Sequence, residues 1–459
     1  MRRSQAVAAA VILVLAVGGA AYADRELEPE PLGTTVATSA ASGAWYCPHG
    51  GGPEGWEAFL QVANPGERTA TIRMRTLGRA RPSATETLTV EPGTFVRVPV
   101  PADGRERASM VEWFDQWVAV GWIARAGGEE GGVAAEPCAP TAGDRWLLPD
   151  GTSETERNDD VIVVMNPFSR DAVVSVVLLS ERREPVVSGE LTDIVLRPYR
   201  SRAIRLNDVV RGERTVSAIV DATVGRVVAG TLGLTVGGGG IRSALGYLGA
   251  PPEQITLPGG EDSGRTDLPV MNAGGERVPV EAVLLGTETE QVFAGLAESA
   301  PPPGSGRTFP ATTDGPTSIV FAASGSEVAA TRRTFGVSSD QGSTNGAAPS
   351  AAWLVVPAAF GAPSHPGIAL ANPGAEPAEV TLTALGPSAP SPVTVSVPPR
   401  STVLAPQDFA EGAAELAVVA VAGSGTFVPA SVSSSLGREG FATYAAALGI
   451  PVPDAWIPG

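Results

Sequence analysis

The sequence predicts an all-β protein built from four tandem β-sandwich modules of the immunoglobulin-like or fibronectin-like kind, after an amino-terminal export segment. A strand–turn–strand segment recurs without gaps at residues 110–123, 219–232, 319–332 and 419–432. Within each repeat, turn residues separate short β-branched strands at intervals of about 8–12 residues, a spacing typical of sandwiches. A chain of 459 residues also exceeds the size at which one hydrophobic core keeps growing, so several domains are expected.

The amino terminus has the layout of a secretory signal. Arg2 and Arg3 precede an apolar stretch at residues 6–19, and the small residues Ala21 and Ala23 fit a cleavage site. The apolar stretch also reaches the lower length limit for crossing a bilayer, so residues 1–23 are predicted to be a signal peptide or a membrane anchor. Acidic residues, prolines and small residues then predict a flexible linker over residues 24–42.

The modules are predicted at residues 43–140, 141–250, 251–348 and 349–459. Each opens on an apolar strand, which carries Trp45, Trp146, Leu257 and Trp353 in turn. This alignment is the basis of the four boundaries.

A second strand of each module ends in asparagine. These asparagines are Asn64, Asn166, Asn272 and Asn372, and proline follows three of them. Asparagine tolerates turn geometry, and proline cannot donate to a continuing ladder, so the pattern predicts a strand-ending turn.

The segment that defines the repeat is interpreted as a hairpin. Its glycines fall at 225, 325 and 425, and Asp115 with Gln116 occupies the corresponding turn of the first copy. A two-residue turn of this kind predicts that its two flanking strands pair with each other.

An eight-bladed β-propeller is the alternative architecture, because four repeats of seven or eight strands would also make eight four-stranded blades. We favour a row of sandwiches, since the sequence shows no shorter period near 45 residues and no propeller blade signatures. Contact between the first and last modules would favour the propeller.

The chain contains two cysteines, Cys47 and Cys138. In an exported protein an even number of cysteines predicts a disulfide, here one that ties the first strand of module 1 to its last. The two residues are too far apart in sequence to form a C-x-x-C metal knuckle.

The net charge is -17, and all 32 cationic side chains are arginine because the chain has no lysine. This balance argues against binding to nucleic acid and to anionic lipid headgroups. Membrane association is therefore expected only through the amino-terminal segment, if it stays uncleaved.

We predict no catalytic residues, no metal site and no cofactor. His49 and His365 both lie in loop-like composition without a nucleophile elbow, so they are interpreted as surface histidines. The glycine run at residues 237–240 is interpreted as a flexible turn, since no lysine or helix follows to bind phosphate. Acidic doublets lack the alternating spacing of a calcium loop and are interpreted as solvated. These doublets are Glu129–Glu130, Asp159–Asp160 and Glu261–Asp262.

Module 1 holds five of the eight tryptophans. Paired across a two-residue turn, residues 110–123 would direct Val111, Trp113, Val118, Val120 and Trp122 to the core. Phe114, Trp117 and Glu112 would then share the opposite face, where an aromatic pair can stack on a sugar or a partner protein. These three residues are the candidate binding site, although burial of the aromatic pair against module 2 or a neighbouring loop is the interpretation that we favour.

The Trp-Tyr-Cys-Pro opening at residues 45–48, the repeated Asn-Pro strands and the Arg145-Trp146-Leu147-Leu148-Pro149 segment resemble a family of exported proteins of unknown function from bacteria of high G+C content. The resemblance implies an amino-terminal membrane segment and no established activity.

We expect a non-enzymatic, extracytoplasmic protein, secreted or anchored by its amino-terminal segment, that acts as a structural or protein-interaction scaffold of the cell envelope or surface. Its partner would be an envelope protein or a cell-wall polysaccharide. The alternative is a glycan-binding protein that uses the aromatic residues of module 1. A glycoside hydrolase with carboxylates from two modules is the third hypothesis.

Overall fold

The computed structural model describes residues 42–453 except 54, 81, 128–130, 236–239, 263, 294, 326, 336–340, 361–363 and 437–441. The predicted signal or anchor segment lies outside the described residues, as does the linker apart from Ser42. Antiparallel sheets make up nearly all of the regular structure that is described, which confirms the all-β prediction. Two short helices, α1 (Leu206–Val209) and α2 (Gln407–Gly412), accompany the strands.

Module 1 is a sandwich of two four-stranded sheets, with strand orders β1-β6-β3-β4 and β5-β2-β7-β8. Its strands are β1 (Ser42–Cys47), β2 (Glu57–Asn64), β3 (Ala70–Leu77), β4 (Glu86–Val90), β5 (Thr94–Val100), β6 (Ala108–Phe114), β7 (Ala119–Arg125) and β8 (Val133–Pro137).

Module 2 repeats this topology with sheets β12-β11-β14-β9-β17 and β13-β10-β15-β16. Its strands are β9 (Arg145–Leu148), β10 (Val161–Asn166), β11 (Ala172–Ser180), β12 (Ile194–Leu196), β13 (Arg200–Arg205), β14 (Val216–Val224), β15 (Val228–Leu234), β16 (Ile241–Leu245) and β17 (Tyr247–Leu248).

Module 3 has sheets β18-β25-β21-β22 and β23-β20-β26-β27, and a separate ribbon of β19 with β24. Its strands are β18 (Gln254–Leu257), β19 (Glu261–Asp262), β20 (Thr266–Asn272), β21 (Val280–Leu285), β22 (Glu290–Val292), β23 (Ser305–Ala311), β24 (Gly315–Pro316), β25 (Ser318–Ala323), β26 (Val328–Phe335) and β27 (Gln341–Asn345).

Module 4 has sheets β31-β30-β33-β28-β36 and β32-β29-β34-β35. Its strands are β28 (Ala352–Val355), β29 (Ser364–Asn372), β30 (Ala378–Ala384), β31 (Val393–Val397), β32 (Ser401–Leu404), β33 (Val418–Ser424), β34 (Val428–Leu436), β35 (Ala442–Leu448) and β36 (Ile450–Pro451).

The repeated strand–turn–strand segment is an arch and not a hairpin. Its two strands belong to opposite sheets of the sandwich in every module, as β6 and β7 do in module 1. The hairpin prediction is therefore wrong. Both strands direct apolar residues toward the interior. The same apolar pattern fits an arch, in which the chain crosses the core to the opposite sheet, and a hairpin, in which it returns within one sheet.

The strand-ending asparagines make the same contacts in all four modules. In module 2, Asn166 Nδ2 donates to the carbonyls of Arg170 at 2.7 Å and Leu196 at 2.9 Å, while its Oδ1 accepts from Phe168 N at 3.0 Å. Asn64, Asn272 and Asn372 bond to the equivalent positions. One side chain thus closes the turn and, in modules 1, 2 and 4, ties it to an edge strand of the opposite sheet.

The opening tryptophans hold the arches in place. Trp45, Trp146 and Trp353 are buried, and each indole Nε1 donates at 2.8 Å to a backbone carbonyl of its own module's arch. Leu257 occupies this position in module 3 and is fully buried without an indole donor. The sequence repeat therefore preserves one buried hydrogen bond in three of the four modules.

The four modules close into a ring. The edge strands β8, β16, β27 and β35 contact one another in that cyclic order, so module 4 meets module 1. Across this junction Gln61 Nε2 donates to Pro357 O at 2.8 Å, and the rings of Phe59 and Phe360 lie 5.4 Å apart. The expectation of an open row is therefore wrong.

Ring closure does not make the protein a propeller. In each module the sheets have orders such as β1-β6-β3-β4, in which β6 lies between β1 and β3, and only β3 and β4 are both neighbours in the sheet and consecutive along the chain. A propeller blade is a single four-stranded sheet, whereas each repeat here pairs two sheets around an apolar interior. The cores of modules 2, 3 and 4 are separate clusters around Val220, Phe321 and Leu382.

Candidate functional site

The predicted aromatic pair of module 1 is not an exposed platform. Trp117 is 3% exposed and packs edge-on against Trp45, with ring centroids 6.3 Å apart. The arch accounts for this position, because the chain turns at Asp115, whose φ is 70°, and then crosses toward the opposite sheet. The expectation that Trp117 points outward beside Phe114 is therefore corrected.

Phe114 and Glu112 are half-buried on β6, in the sheet β1-β6-β3-β4, and both contact the same side chain. The guanidinium of Arg73 lies 4.4 Å from the centre of the Phe114 ring, and its Nε is 3.6 Å from Glu112 Oε2. A ligand at this face would have to displace or contact Arg73. Binding by Phe114 and Glu112 stays a prediction.

The predicted disulfide is present in module 1. Cys47 at the end of β1 is bonded to Cys138, which follows β8, and the two lie 91 residues apart in the sequence. Both cysteines are buried. The bond joins the two sheets of the sandwich at the point where module 1 ends.

His49 is a buried residue and not a surface histidine. Its side chain is 1% exposed, with Nε2 2.9 Å from Ser109 Oγ and Nδ1 2.7 Å from the carbonyl oxygen of Gly50. The Gly50 carbonyl needs a donor, so Nδ1 carries the proton and Nε2 accepts from Ser109. Burial lowers the pKa of His49 to about 4, and Arg107 acts in the same direction.

The pair of Ser109 and His49 has the spacing of a nucleophile and its base. Ser109 is fully buried, however, and the group that orients the imidazole is a backbone carbonyl where a hydrolase triad has a carboxylate. A substrate has no path to Ser109 Oγ, so the pair stabilises module 1. The second histidine, His365, is exposed as predicted.

A buried ionic cluster joins modules 2 and 3. Asp150 of module 2 accepts from Arg333 Nε at 3.1 Å and from Ser343 Oγ at 2.6 Å, both in module 3, and Arg242 Nε lies 3.4 Å from it. Arg242 also donates to Asp160. The two carboxylates and two guanidinium groups are each less than a tenth exposed.

The charges of the cluster act differently on its two acids. Burial tends to raise the pKa of Asp150, but Arg333 and Arg242 outweigh it and lower that pKa to about 2. For Asp160, burial and the charge of Asp150 prevail over the arginines and raise the pKa to about 6. Asp150 is therefore the permanent anion of the interface.

The acidic doublet at residues 159–160 is not a solvated loop. Asp160 belongs to the ionic cluster, and Asp159 binds Arg105 of module 1 at 2.9 Å and Arg205 at 2.8 Å. That expectation is wrong for this doublet, because each carboxylate has an arginine partner. Glu129–Glu130, the side chains of Glu261–Asp262 and most of the glycine run at 237–240 lie outside the described residues.

The described residues contain no group of three or more His, Cys, Asp or Glu side chains arranged to hold a metal ion. Within the same residues, no helix has both the length and the apolar character needed to cross a membrane.

The fold and the junctions define a class of protein: an all-β protein whose sandwich modules are joined through buried polar contacts. The chain belongs to a family of unknown function, DUF5719, whose model matches residues 102–359. The match runs from the last part of module 1 to the start of module 4. No curated protein matches the chain.

Two solved structures show weak likenesses. Thermotoga maritima 1070 shares 22% identity over 23% of this chain and 95% of its own, with a TM-score of 0.21. Trypsin-activated alpha-2-macroglobulin from Escherichia coli shares 11% identity over 89% of this chain and 42% of its own, with a TM-score of 0.12. At these TM-scores neither likeness bears on function.

Proposed function

We propose that the protein is a non-enzymatic, extracytoplasmic scaffold of the cell envelope or surface. The closed ring of four sandwiches is the observation that carries this proposal. Modules 2, 3 and 4 have distinct apolar clusters, the cluster of module 2 extends to Tyr46 and Leu77 of module 1, and the junctions add hydrogen bonds and ion pairs between modules. Such a body presents a fixed outer surface for a protein partner, because the modules cannot swing independently as beads on a string would.

The placement of the polar residues supports a structural role over hydrolysis. The buried carboxylates of the ionic cluster at the junction of modules 2 and 3, Asp150 and Asp160, both belong to module 2, are each paired with arginine and are 2–3% exposed. A glycosidase pair needs room between its carboxylates for a sugar and a water molecule. The cluster at this junction offers no such room.

The disulfide supports an extracytoplasmic location. Disulfides persist in oxidising compartments and are rare in the cytosol. The bond between Cys47 and Cys138 therefore fits a protein that is exported before or during folding. Alkylation of the protein taken directly from intact cells should find both thiols blocked, and free thiols would contradict an extracytoplasmic location.

Capture of the partner in living cells tests the scaffold role. The chain has no lysine, so amine-reactive cross-linkers have no side chain to modify. A photo-cross-linking amino acid placed at Val187 or Val292, which are 66% and 75% exposed, avoids this problem. We expect one envelope protein to be captured from at least one of these two positions or from another exposed position on the four modules. The cross-linked product should form only after irradiation. Recovery of uncross-linked protein alone from every position would overturn the scaffold proposal.

A further inference from the structure

A cleft of about 410 Å³ lies where module 1 meets module 2. Module 1 contributes Arg79 from the loop after β3, and module 2 contributes the turn between β12 and β13 and the start of β13. The side chains that give the cleft its charge are Arg79, Arg197, Arg200 and Arg202, and we call it the arginine cleft. Its volume is within the range of ligand sites, roughly 300–1,000 Å³.

The charge of the arginine cleft is unbalanced. Among the described residues, no carboxylate forms an ion pair with any of its four arginines, although the protein has 49 acidic residues against 32 arginines. Arg205, on the same strand as Arg202, does have such a partner in Asp159. Four guanidinium groups gathered without acids repel one another, and an anion would relieve that repulsion.

The framework of the cleft is fixed by contacts between the two modules. Ser201 N donates to Gly78 O at 3.2 Å, and Ser201 Oγ donates to the carbonyl oxygen of Glu106. The guanidinium of Arg75 lies 4.3 Å from the centre of the Tyr199 ring. Arg200 is held in turn, since its Nη1 donates to Tyr199 O at 3.1 Å. A framework ordered in advance lowers the entropy cost of binding.

We propose that the arginine cleft binds an oxyanion ligand, either a phosphoryl group or a set of neighbouring carboxylates. Guanidinium is planar and matches the geometry of both groups with paired hydrogen bonds. The ligand is a small molecule or one repeat of an acidic polymer, because the volume admits no more. This inference stands independently of the scaffold role, which concerns the outer surface of the ring and not this cleft.

Calorimetric titration of the whole folded protein at low ionic strength tests the proposal, with inorganic phosphate and citrate as probes. We expect one of them to bind with a stoichiometry of one. The double variant Arg197→Gln/Arg202→Gln should weaken that binding at least about tenfold, because each charge-assisted hydrogen bond contributes enough for such a factor. The better probe identifies the ligand as phosphoryl or carboxylate.

The matched control is Arg182→Gln/Arg277→Gln, which makes the same charge change at exposed arginines outside the cleft. It should bind the probe within about twofold of the wild type, since these two arginines do not line the cleft and can donate no hydrogen bond to a ligand there. Arg79→Gln should also weaken binding, because the site spans both modules. Failure of both probes to bind the wild type would overturn the proposal, as would equal losses in the cleft and control variants. Equal thermal midpoints establish that the variants are folded.

Discussion

Arg333 of module 3 donates two hydrogen bonds to Oδ1 of Asp150 in module 2, one from Nε at 3.1 Å and one from Nη2. The residues are 183 positions apart in the chain, and both are buried. Their bond is the clearest instance of how the ring is joined: charged groups of different modules are desolvated together and satisfied by each other. The junction therefore depends on both partners being present.

Replacing Asp150 by alanine should lower the free energy of unfolding by about 3–5 kcal/mol, since Arg333 would remain buried without its counter-ion. Urea unfolding at pH 7 measures this loss. Glu57→Ala is the control, because its pair with Arg125 is about half exposed on both sides. An exposed pair contributes at most about 1 kcal/mol. Similar losses in the two variants would show that the buried pair is not important for stability.

Much of the fold was predictable because it depends on local residue pattern. The strand-ending asparagines, the opening tryptophans and the sandwich class follow from the short-range preferences of those residues and from their repetition. The disulfide was also predictable, since the chain has two cysteines and an amino-terminal sequence from which export is predicted.

The junctions were not predictable from the same pattern. Asp150, Arg242 and Arg333 are ordinary charged residues in sequence, and only the docking of separate modules brings them together. The burial of His49 is hidden in the sequence for a similar reason. The glycines that follow it are typical of a surface loop, whereas in the fold Trp122 of the opposite sheet packs against its ring. The prediction for Trp117 is wrong because it assumes a hairpin. A hairpin and an arch have the same apolar pattern in sequence, but in an arch the second strand enters the opposite sheet, which buries Trp117.

The strand-ending asparagine depends on an amide and not merely on a polar group. Asn166→Asp puts an acceptor where Nδ2 now donates to the carbonyls of Arg170 and Leu196. We expect it to cost about 2–3 kcal/mol in the free energy of unfolding at pH 7, because a carboxylate cannot donate and is buried beside carbonyl oxygens.

Asn166→Ala is the matched variant, which loses the hydrogen bonds but adds no charge. The aspartate variant should be the less stable at pH 7, and the gap should narrow as the pH falls and the carboxyl group takes up a proton. Denaturant unfolding at pH 7 and pH 4.5 provides both comparisons. Wild-type stability in the aspartate variant would refute the role given to Nδ2.

The buried His49 makes stability depend on pH. Its pKa is about 4 in the folded protein against 6.5 for the unfolded chain, so the unfolded state takes up the proton first as the pH falls. The contribution of neutral His49 is therefore complete above pH 6.5 and declines between pH 6.5 and pH 4, by about 3 kcal/mol in total.

His49→Gln removes the titrating group, so the free energy of unfolding should fall less steeply between pH 6.5 and pH 4 than in the wild type. His365→Gln is the control, since it makes the same substitution at an exposed histidine. Acids elsewhere titrate equally in all three proteins, so the difference between slopes isolates His49. Parallel slopes in the wild type and His49→Gln would show that His49 is not buried in the neutral form.

Closure of the ring is open to test at Gly121, which lies on β7 where module 1 meets module 4. A Cβ at this position would lie 2.7 Å from Val356 Cγ2 and 3.0 Å from the carbonyl oxygen of Glu136. Gly121→Val should therefore force the two modules apart, at a cost of about 1–3 kcal/mol. Gly275→Val is the matched control, because a Cβ there meets nothing within 4 Å.

Hydrogen exchange distinguishes an opened ring from general destabilisation. In Gly121→Val, amides of residues 358–360 and 444–448 should exchange faster, because they border the junction of modules 1 and 4. Amides around Asp150 and Arg333 should be unaffected, since the junction of modules 2 and 3 lies elsewhere in the ring. Uniformly faster exchange would mean that Gly121 supports the core of module 1 and not the closure. Unchanged exchange throughout would mean that modules 1 and 4 are not held together in solution.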